Sequence, residues 1–351
     1  MKIIDLRSDT VTMPSPAMRE AMFNAELGDD QYDEDPTVNR LQERAAQLMG
    51  KEAALFVASG TMGNLVSLLA HCERGEQVIA GGGCHIFNWE QSSASTLGGI
   101  SMRTIPNQSD GTLKLEEIES AVNPLDIHCA KTKLICLENT WNGKPISSDY
   151  MQAVRQIAHK HGLRIHLDGA RLFNASVALQ VPEAELVEAA DSVQFCLSKG
   201  LAAPVGSIVC GDESFILRAK RMRKGVGGAM RQAGVLAAAG LVALDTMRER
   251  LQEDHITAKS LASGLESFGC FKVSADDTRT NIVFFDTASD TVSRQELVAV
   301  LKAAGVLVSV APPFGIRAVT HYGITDADIE EVLERVKSVV GTMRIPCAAR
   351  C

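Results

Sequence analysis

Two residues in this chain have the types and spacing to do chemistry together: Lys199, which follows the strand-like run SVQFCLS, and Asp168, which ends the run LRIHLD. Residues 163–167 form a short apolar run that ends at Asp168. After Pro182, residues 183–190 carry Leu and Ala among acids at helical spacing, and residues 192–197 read as a second strand. That is a βαβ unit. A right-handed crossover sets consecutive parallel strands side by side with their carboxyl ends on one edge, where open α/β sheets bind ligands. The amine and the carboxylate are therefore expected to face one crevice. A lysine after a strand is most often a solvated end. What sharpens this one is the acid at the neighbouring strand end, followed at once by Gly169, Ala170 and Arg171.

Pyridoxal phosphate needs both groups: an amine to form a Schiff base with its aldehyde, and an acid that keeps its pyridine nitrogen protonated so that the ring withdraws electrons. It also needs a phosphate site. Residues 53–58 read as a strand, Ser59-Gly60-Thr61 as a tight turn and residues 62–69 as the start of a helix. Glycine lets the backbone approach an oxyanion, and a helix start offers free N–H groups and the positive dipole end. The run Gly81-Gly82-Gly83 reads as a loop without a helix start behind it, because His85, Phe87 and Trp89 alternate beyond it.

In order, these pieces resemble the L-threonine aldolases of the low-specificity type, members of the aspartate aminotransferase-like, fold-type-I group of pyridoxal-phosphate enzymes. The resemblance is carried by DLRSDTVT (5–12), YDEDPTVN (32–39), SGTMGN (59–64), LEN (137–139), HLDGARLFNA (166–175), CLSKGLAAPVGS (196–207) and GGAMRQAGVLAAAG (227–240), with the late pair Arg317 and THY (320–322). It spans nearly all of residues 1–340. The fold it implies is α/β: a large cofactor-binding domain with a mostly parallel sheet over residues 1–252 and a smaller α+β domain over 253–341. The first fifteen or so residues would pack with the small domain, and residues 342–351 would form a tail.

The resemblance also implies roles. Lys199 would hold the cofactor, Asp168 would pair with the ring nitrogen, and Arg171 would bond the phenolic oxygen and face the substrate. Gly60 and Thr61 would hold the phosphate, with Lys224 or Arg231 delivered across a subunit boundary. His85 would stack on the ring face. Ser8 and Arg317 would bind the substrate carboxylate, a planar anion that suits the guanidinium fork. Tyr32 would reach the substrate of a neighbouring subunit, and His128 would contact the β-hydroxyl. Ser8 also fits a turn residue, His85 a packed histidine in the stretch HIFNW, and His128 an ordinary loop position.

The implied reaction is reversible cleavage of L-threonine, L-allo-threonine or a related β-hydroxy-α-amino acid to glycine and an aldehyde. Its proton acceptor is His85, His128 or a bound water, since ordinary imidazole titrates near neutral pH. Another pyridoxal-phosphate activity, transamination or racemisation, is the alternative; a non-catalytic phosphate-binding α/β protein is another. Trp141, where many relatives have histidine, and the Pro312–Gly315 stretch depart from the family pattern and bear on side-chain specificity, whereas Ala229 in GGAMRQ is a small change.

A net charge of −8 disfavours nucleic acid and anionic membranes as partners, and 46% hydrophobic residues over 351 positions can fill two cores. The partners expected are an amino-acid substrate and further copies of the chain, as a homodimer or homotetramer. MKIIDLRSDT has no basic start followed by an apolar core, so the expected location is cytoplasmic; an organellar leader lost before this start is compatible with it. The nine cysteines are scattered, with Cys136, Cys196 and Cys210 in apolar runs, as reduced core thiols would be, and no CxxC or HxxxH pair suggests a metal. RIPCAARC at the end reads as a flexible tail. Asp35-Pro36 reads as a helix start with Leu41, Ala45 and Leu48 on one face and Gly50 as the stop. Residues 234–244 read as a buried helix, and FKVSA, TNIVFFD and VLVSVA as strands of the small domain.

Overall fold

A computed structural model describes residues 2–288, 292–343 and 345. The chain divides into two compact units, Pro14–Arg248 and a second one built from the described residues up to Met13 and from Glu249 onward. The strands in chain order are β1 (Ile4–Asp5), β2 (Ala53–Val57), β3 (Gln77–Gly81), β4 (Ser101–Ile105), β5 (Thr132–Glu138), β6 (Arg164–Asp168), β7 (Ser192–Cys196), β8 (Ser207–Gly211), β9 (Phe271–Lys272), β10 (Ile282–Thr287), β11 (Val306–Leu307), β12 (Ser309–Ala311) and β13 (Gly315–Val319).

In the larger unit seven strands form one sheet in the order β2-β8-β7-β6-β5-β3-β4. The pairs from β4 through β7 are parallel, and β8 runs antiparallel to both β7 and β2. β7 and β8 are buried along their whole length, as a sheet covered on both faces requires. The βαβ reading of residues 163–197 is found as β6, the four-residue helix Glu183–Leu186 and β7, with an intervening helix Leu172–Leu179. The helical pattern that ran on to Ala190 stops early, because Val187 leaves helical geometry.

Local signals explain most helix ends. Asp35 caps helix Pro36–Met49 by accepting from the N–H groups of Thr37 and Val38, and Gly50 ends it in left-handed geometry at φ 59°. Leu41 and Ala45 are buried, whereas Leu48 is only half-buried and Met49 takes its place in the core. Helix Gly234–Thr246 buries Gly234, Ala237, Ala238, Gly240 and Leu244, the expected glycine- and alanine-rich packing helix.

One buried ion pair was invisible in the sequence. Arg223, 1% exposed, sends Nη2 to Asp30 Oδ2 at 2.7 Å and Nη1 to the Phe56 carbonyl at 2.8 Å, tying the turn Asp30–Tyr32 to the end of β2. Removing one partner strands the other charge in the interior, which costs about 3–5 kcal/mol. Arg223→Met is therefore expected to lower the unfolding free energy, measured by urea titration at fixed protein concentration, by an amount in that range. A loss below about 1 kcal/mol, the level of an exposed pair, would contradict this account of Arg223.

In the smaller unit β10, β12 and β13 form an antiparallel sheet with β9 on the far side of β10, and β1 pairs in parallel with β11. The run VLVSVA is two strands, β11 and β12, split at Val308. The core joins Ile4 and Leu6 to Leu261, Leu265, Phe285, Leu301, Ile316 and Val336. Of the stretch RIPCAARC, Arg344 and residues 346–351 lie outside the described residues. Among the described residues seven cysteines are free thiols, and all but Cys129 are buried.

Candidate active site

Three parallel strands end in a row of polar side chains. Register places Glu138 opposite Asp168 and Asp168 opposite Gln194, on β5, β6 and β7. Asp168, 2% exposed, accepts from Gln194 Nε2 at 2.6 Å and Ala170 N at 3.1 Å on Oδ1, and from Asn64 Nδ2 at 2.9 Å on Oδ2. Three donors converge on one buried carboxylate. Gln194 Oε1 is a buried oxygen without a hydrogen-bond partner beside it.

Lys199 lies in the turn that follows β7, where Ala202 N donates to its carbonyl at 2.8 Å. Its charge acts on both His85 and Glu138, which places the amine in the same crevice as the acids. Arg171 is the residue before helix Leu172–Leu179, with φ −129° and ψ 37°, three residues past Asp168.

The phosphate turn is tighter than the sequence reading. Ser59 is the cap, accepting from Met62 N at 3.2 Å, so the twelve-residue helix Gly60–His71 begins at Gly60 and not at residue 62. The N–H groups of Gly60 and Thr61 thus belong to its first turn, outside the helical ladder. A Cβ on Gly60 would lie 2.8 Å from Cys196 Sγ, so only glycine brings this turn against β7.

His85 corrects one expectation outright. A helix does follow the glycine run: Cys84 N donates to the Gly81 carbonyl, and a four-residue helix, His85–Asn88, begins directly. The period-2 look of HIFNW gave way to a helical turn, in which Phe87 N and Asn88 N donate to the Cys84 carbonyl and Trp89 N to that of His85. His85 N donates to Glu138 Oε2 at 2.7 Å, and its Nδ1 lies 2.8 Å from Glu90 Oε1. The hydrogen bond to Glu90 raises the His85 imidazole above its ordinary value. Burial pushes the Glu138 carboxyl up to about 7, with the Asp168 charge adding to the rise. His85, Glu90 and Asp168 bring their ligand-type atoms within 4.8 Å of one another, with the Asn64 amide donating to both carboxylates.

The remaining candidates fall into three groups. Tyr32, Lys224 and Arg231 share one patch: Lys224 Nζ bonds Gln31 Oε1 at 3.0 Å, and Arg231 Nη1 bonds Asp29 Oδ2 at 2.9 Å. Gly228, between Lys224 and Arg231, packs against Met62 in the first turn of helix Gly60–His71. Ser8 and Arg317 are neighbours in the smaller unit, where Arg317 Nη2 donates to the carbonyl of Arg7 at 3.2 Å. There the Ser8 hydroxyl accepts from Thr10 N at 3.3 Å, capping the turn Asp9–Val11. His128 stands apart, 83% exposed and paired with Asp126 two residues away.

Trp141 is 5% exposed and packs under the glycine run, its Nε1 donating to the Gly83 carbonyl at 3.1 Å. The departure from the family pattern at this position is thus a buried ring. Asn64, Glu90, Glu138, Gln194 and His166 were missed as site residues. Asn64, Glu138 and His166 stood inside recognised motifs, and Gln194 was a polar residue inside an apolar strand. Glu90 carried no signal at all.

The profile of the β-eliminating lyases matches residues 5–288. Low-specificity L-threonine aldolase 1 of Arabidopsis thaliana is 48% identical over 353 residues, covering 99% of each chain. The low specificity L-threonine aldolase of Escherichia coli K12 is 46% identical over 330 residues, 94% of this chain and 97% of that one. The threonine aldolase structure of Leishmania major superposes with a TM-score of 0.82 at 22% identity, over 96% of this chain and 99% of that one, which shows a common fold. The α/β architecture expected from the motifs is thus the one found, and the chain belongs to the β-eliminating lyase family, among the low-specificity L-threonine aldolases.

Proposed function

We propose that this chain is a carbon–carbon lyase that uses pyridoxal 5'-phosphate to cleave L-threonine and L-allo-threonine, reversibly, to glycine and acetaldehyde. The observation that carries the reading is the buried Asp168, held by three N–H donors in the crevice that also holds Lys199 and His85. The donor set suits the cofactor. An anion fixed as a pure acceptor matches a protonated ring nitrogen, and the first turn at Gly60 and Thr61 matches a phosphate. The orphaned Gln194 Oε1 marks a crevice with an acceptor to spare.

When bound, pyridoxal phosphate supplies an aldehyde for the substrate amine and a ring that takes up the electron pair of the broken Cα–Cβ bond. The chain's own residues do the rest. Lys199 would hold the cofactor, Arg171 would bond its phenolic oxygen, and Arg317 with Ser8 would receive the substrate carboxylate. His85 rather than His128 is placed to accept the proton, because it sits among the crevice acids whereas His128 is solvated and paired with Asp126. The test is to incubate the enzyme with L-threonine alone. Glycine and acetaldehyde in equal amounts support the reading; a 2-oxo acid or D-threonine as the product would replace it with transamination or racemisation.

The proposed assembly is a homodimer that pairs into a tetramer, with Tyr32 and Arg231 reaching a neighbour's site. Tyr32 is 71% exposed and Phe23 89%, apolar surface of the kind a partner covers. Two-fold symmetry makes each shared contact occur twice. Mixing Lys199→Ala with Arg231→Ala subunits is expected to restore about a quarter of wild-type activity after random exchange, since one site in each mixed dimer is intact. No recovery despite proven exchange would contradict the shared site. The cytoplasm is the proposed location, in keeping with seven free thiols, and among the described residues no helix is long and apolar enough to cross a membrane.

A further inference from the structure

His85 is gripped from one side. Its Nδ1 edge abuts Glu90, whose side chain is 1% exposed, while the imidazole itself is 43% exposed. Glu90 Oε1 also accepts from Asn64 Nδ2 at 2.8 Å, and the other N–H of that amide goes to Asp168 Oδ2 at 2.9 Å. Asn64 Oδ1 faces His166 Nε2 at 3.1 Å. The amide can point only this way, because the flipped amide would aim its oxygen at two carboxylates.

The orientation propagates. Burial lowers His166 to about 4 and His71 to about 3, so both are neutral near pH 7. His166 therefore donates from Nε2 to Asn64, its Nδ1 accepts from the Ser192 hydroxyl at 2.8 Å, and Ser192 Oγ accepts from His71 Nε2 at 2.7 Å. Every bond in the chain donates toward Asp168 and Glu90. Burial raises the Glu90 carboxyl, but Asn64 Nδ2 and His85 Nδ1 converge on the same oxygen, Oε1, a geometry that suits an accepting carboxylate with the shared proton on Nδ1.

We propose that Glu90 is a positioning residue which, fixed as an acceptor by Asn64, accepts the Nδ1–H hydrogen bond of His85, keeps that proton on Nδ1, and so presents Nε2 as the proton acceptor for the substrate's β-hydroxyl. This rests on the function proposed above. The hydroxyl O–H bond breaks and Nε2–H forms. The O–H pair becomes the second bond of the aldehyde carbonyl, and the Cα–Cβ pair stays with the glycine carbon, where the cofactor ring accepts it. The imidazolium that results is balanced by Glu90, as a buried acid behind a catalytic histidine does elsewhere. Four charged or titratable groups surround His85: Glu90, Asp168, Glu138 and Lys199. Glu90 is the one in contact with a ring nitrogen.

Glu90→Gln keeps the shape and removes the charge. It is expected to lower kcat about 10- to 100-fold with a smaller change in KM, as loss of an orienting partner does. Since Glu90 raises the His85 imidazole, its loss moves the acidic limb of kcat/KM to lower pH, and the ring resonances of His85 shift the same way in the cofactor-free protein. Glu90→Asp, which retains the charge, recovers part of both effects. Unchanged His85 titration and an unchanged pH profile in Glu90→Gln, with threonine still cleaved, would overturn the role of Glu90 and leave the reaction standing. A wild-type enzyme that makes no glycine while His85 responds as described would sink the reaction instead. Should Glu90→Gln not fold, the ring ¹⁵N pattern of the wild type decides: neutral His85 carrying its proton on Nδ1 supports the proposal, and on Nε2 refutes it.

Discussion

Lys199→Ala is expected to lower the rate of glycine formation from L-threonine by at least about 10³-fold while leaving the circular dichroism of the protein unchanged. On the proposed role, the size follows from two losses at once: the amine proposed to hold the cofactor, and a group that could move protons, which alone contributes about 10²–10⁴-fold. The fold survives because Lys199 sits in a turn beyond β7, a strand buried along its whole length with Val193 and Phe195 packed on one of its faces. Steady-state assays with cofactor in excess check this. Wild-type turnover in the variant would remove Lys199 from the chemistry and leave the SKG turn as structure.

The second large effect is expected at Asp168→Asn, a loss of about 10²–10³-fold in kcat, the scale of truncating one partner of a buried charge pair. The replacement is not neutral in shape. Both oxygens of Asp168 already accept N–H donors, from Gln194 and Ala170 on one side and Asn64 on the other. An amide there must turn its NH₂ toward one of them, donor against donor. If it faces Asn64, that amide is displaced from Glu90 as well, and His85 is disturbed with it. The variant should therefore retain cofactor while losing turnover and the long-wavelength absorbance that glycine is expected to produce in the wild type. A wild-type glycine spectrum in Asp168→Asn would count against the pairing of this carboxylate with the ring nitrogen.

How much of this was legible in the chain differs by element. The β6–β7 unit was readable because a parallel strand ends in a polar residue and the next begins after a fixed crossover, so Asp168 and Lys199 had to share an edge. The helix start at Asp35 was readable for the same reason that it forms, a side chain positioned to cap two N–H groups. HIFNW misled because alternation over five residues specifies a strand only if a neighbour exists to pair with. Glu90 and Arg223 were illegible for a deeper reason. Each is a charged residue in a segment with ordinary surface composition, and its burial depends on partners 26 and 193 positions away, Asn64 and Asp30. No local period encodes such a contact.

Family resemblance supplied roles that the geometry sorts rather than repeats. It gave His85 the ring face and His128 the β-hydroxyl, yet His85 is gripped by a buried acid and His128 is solvated. It offered Ser8 as a carboxylate ligand, and that hydroxyl also caps its own turn. The Arg317 guanidinium, for its part, is tied to the Arg7 carbonyl through Nη2.

The most direct test of the account is to reduce the cofactor-loaded enzyme with borohydride and map the modified peptide by mass spectrometry. The account predicts one pyridoxyl-bearing peptide, with the group on the side-chain nitrogen of Lys199, and no such peptide from Lys199→Ala. A label on any other lysine, or a cofactor-saturated active enzyme that takes no label, would contradict it.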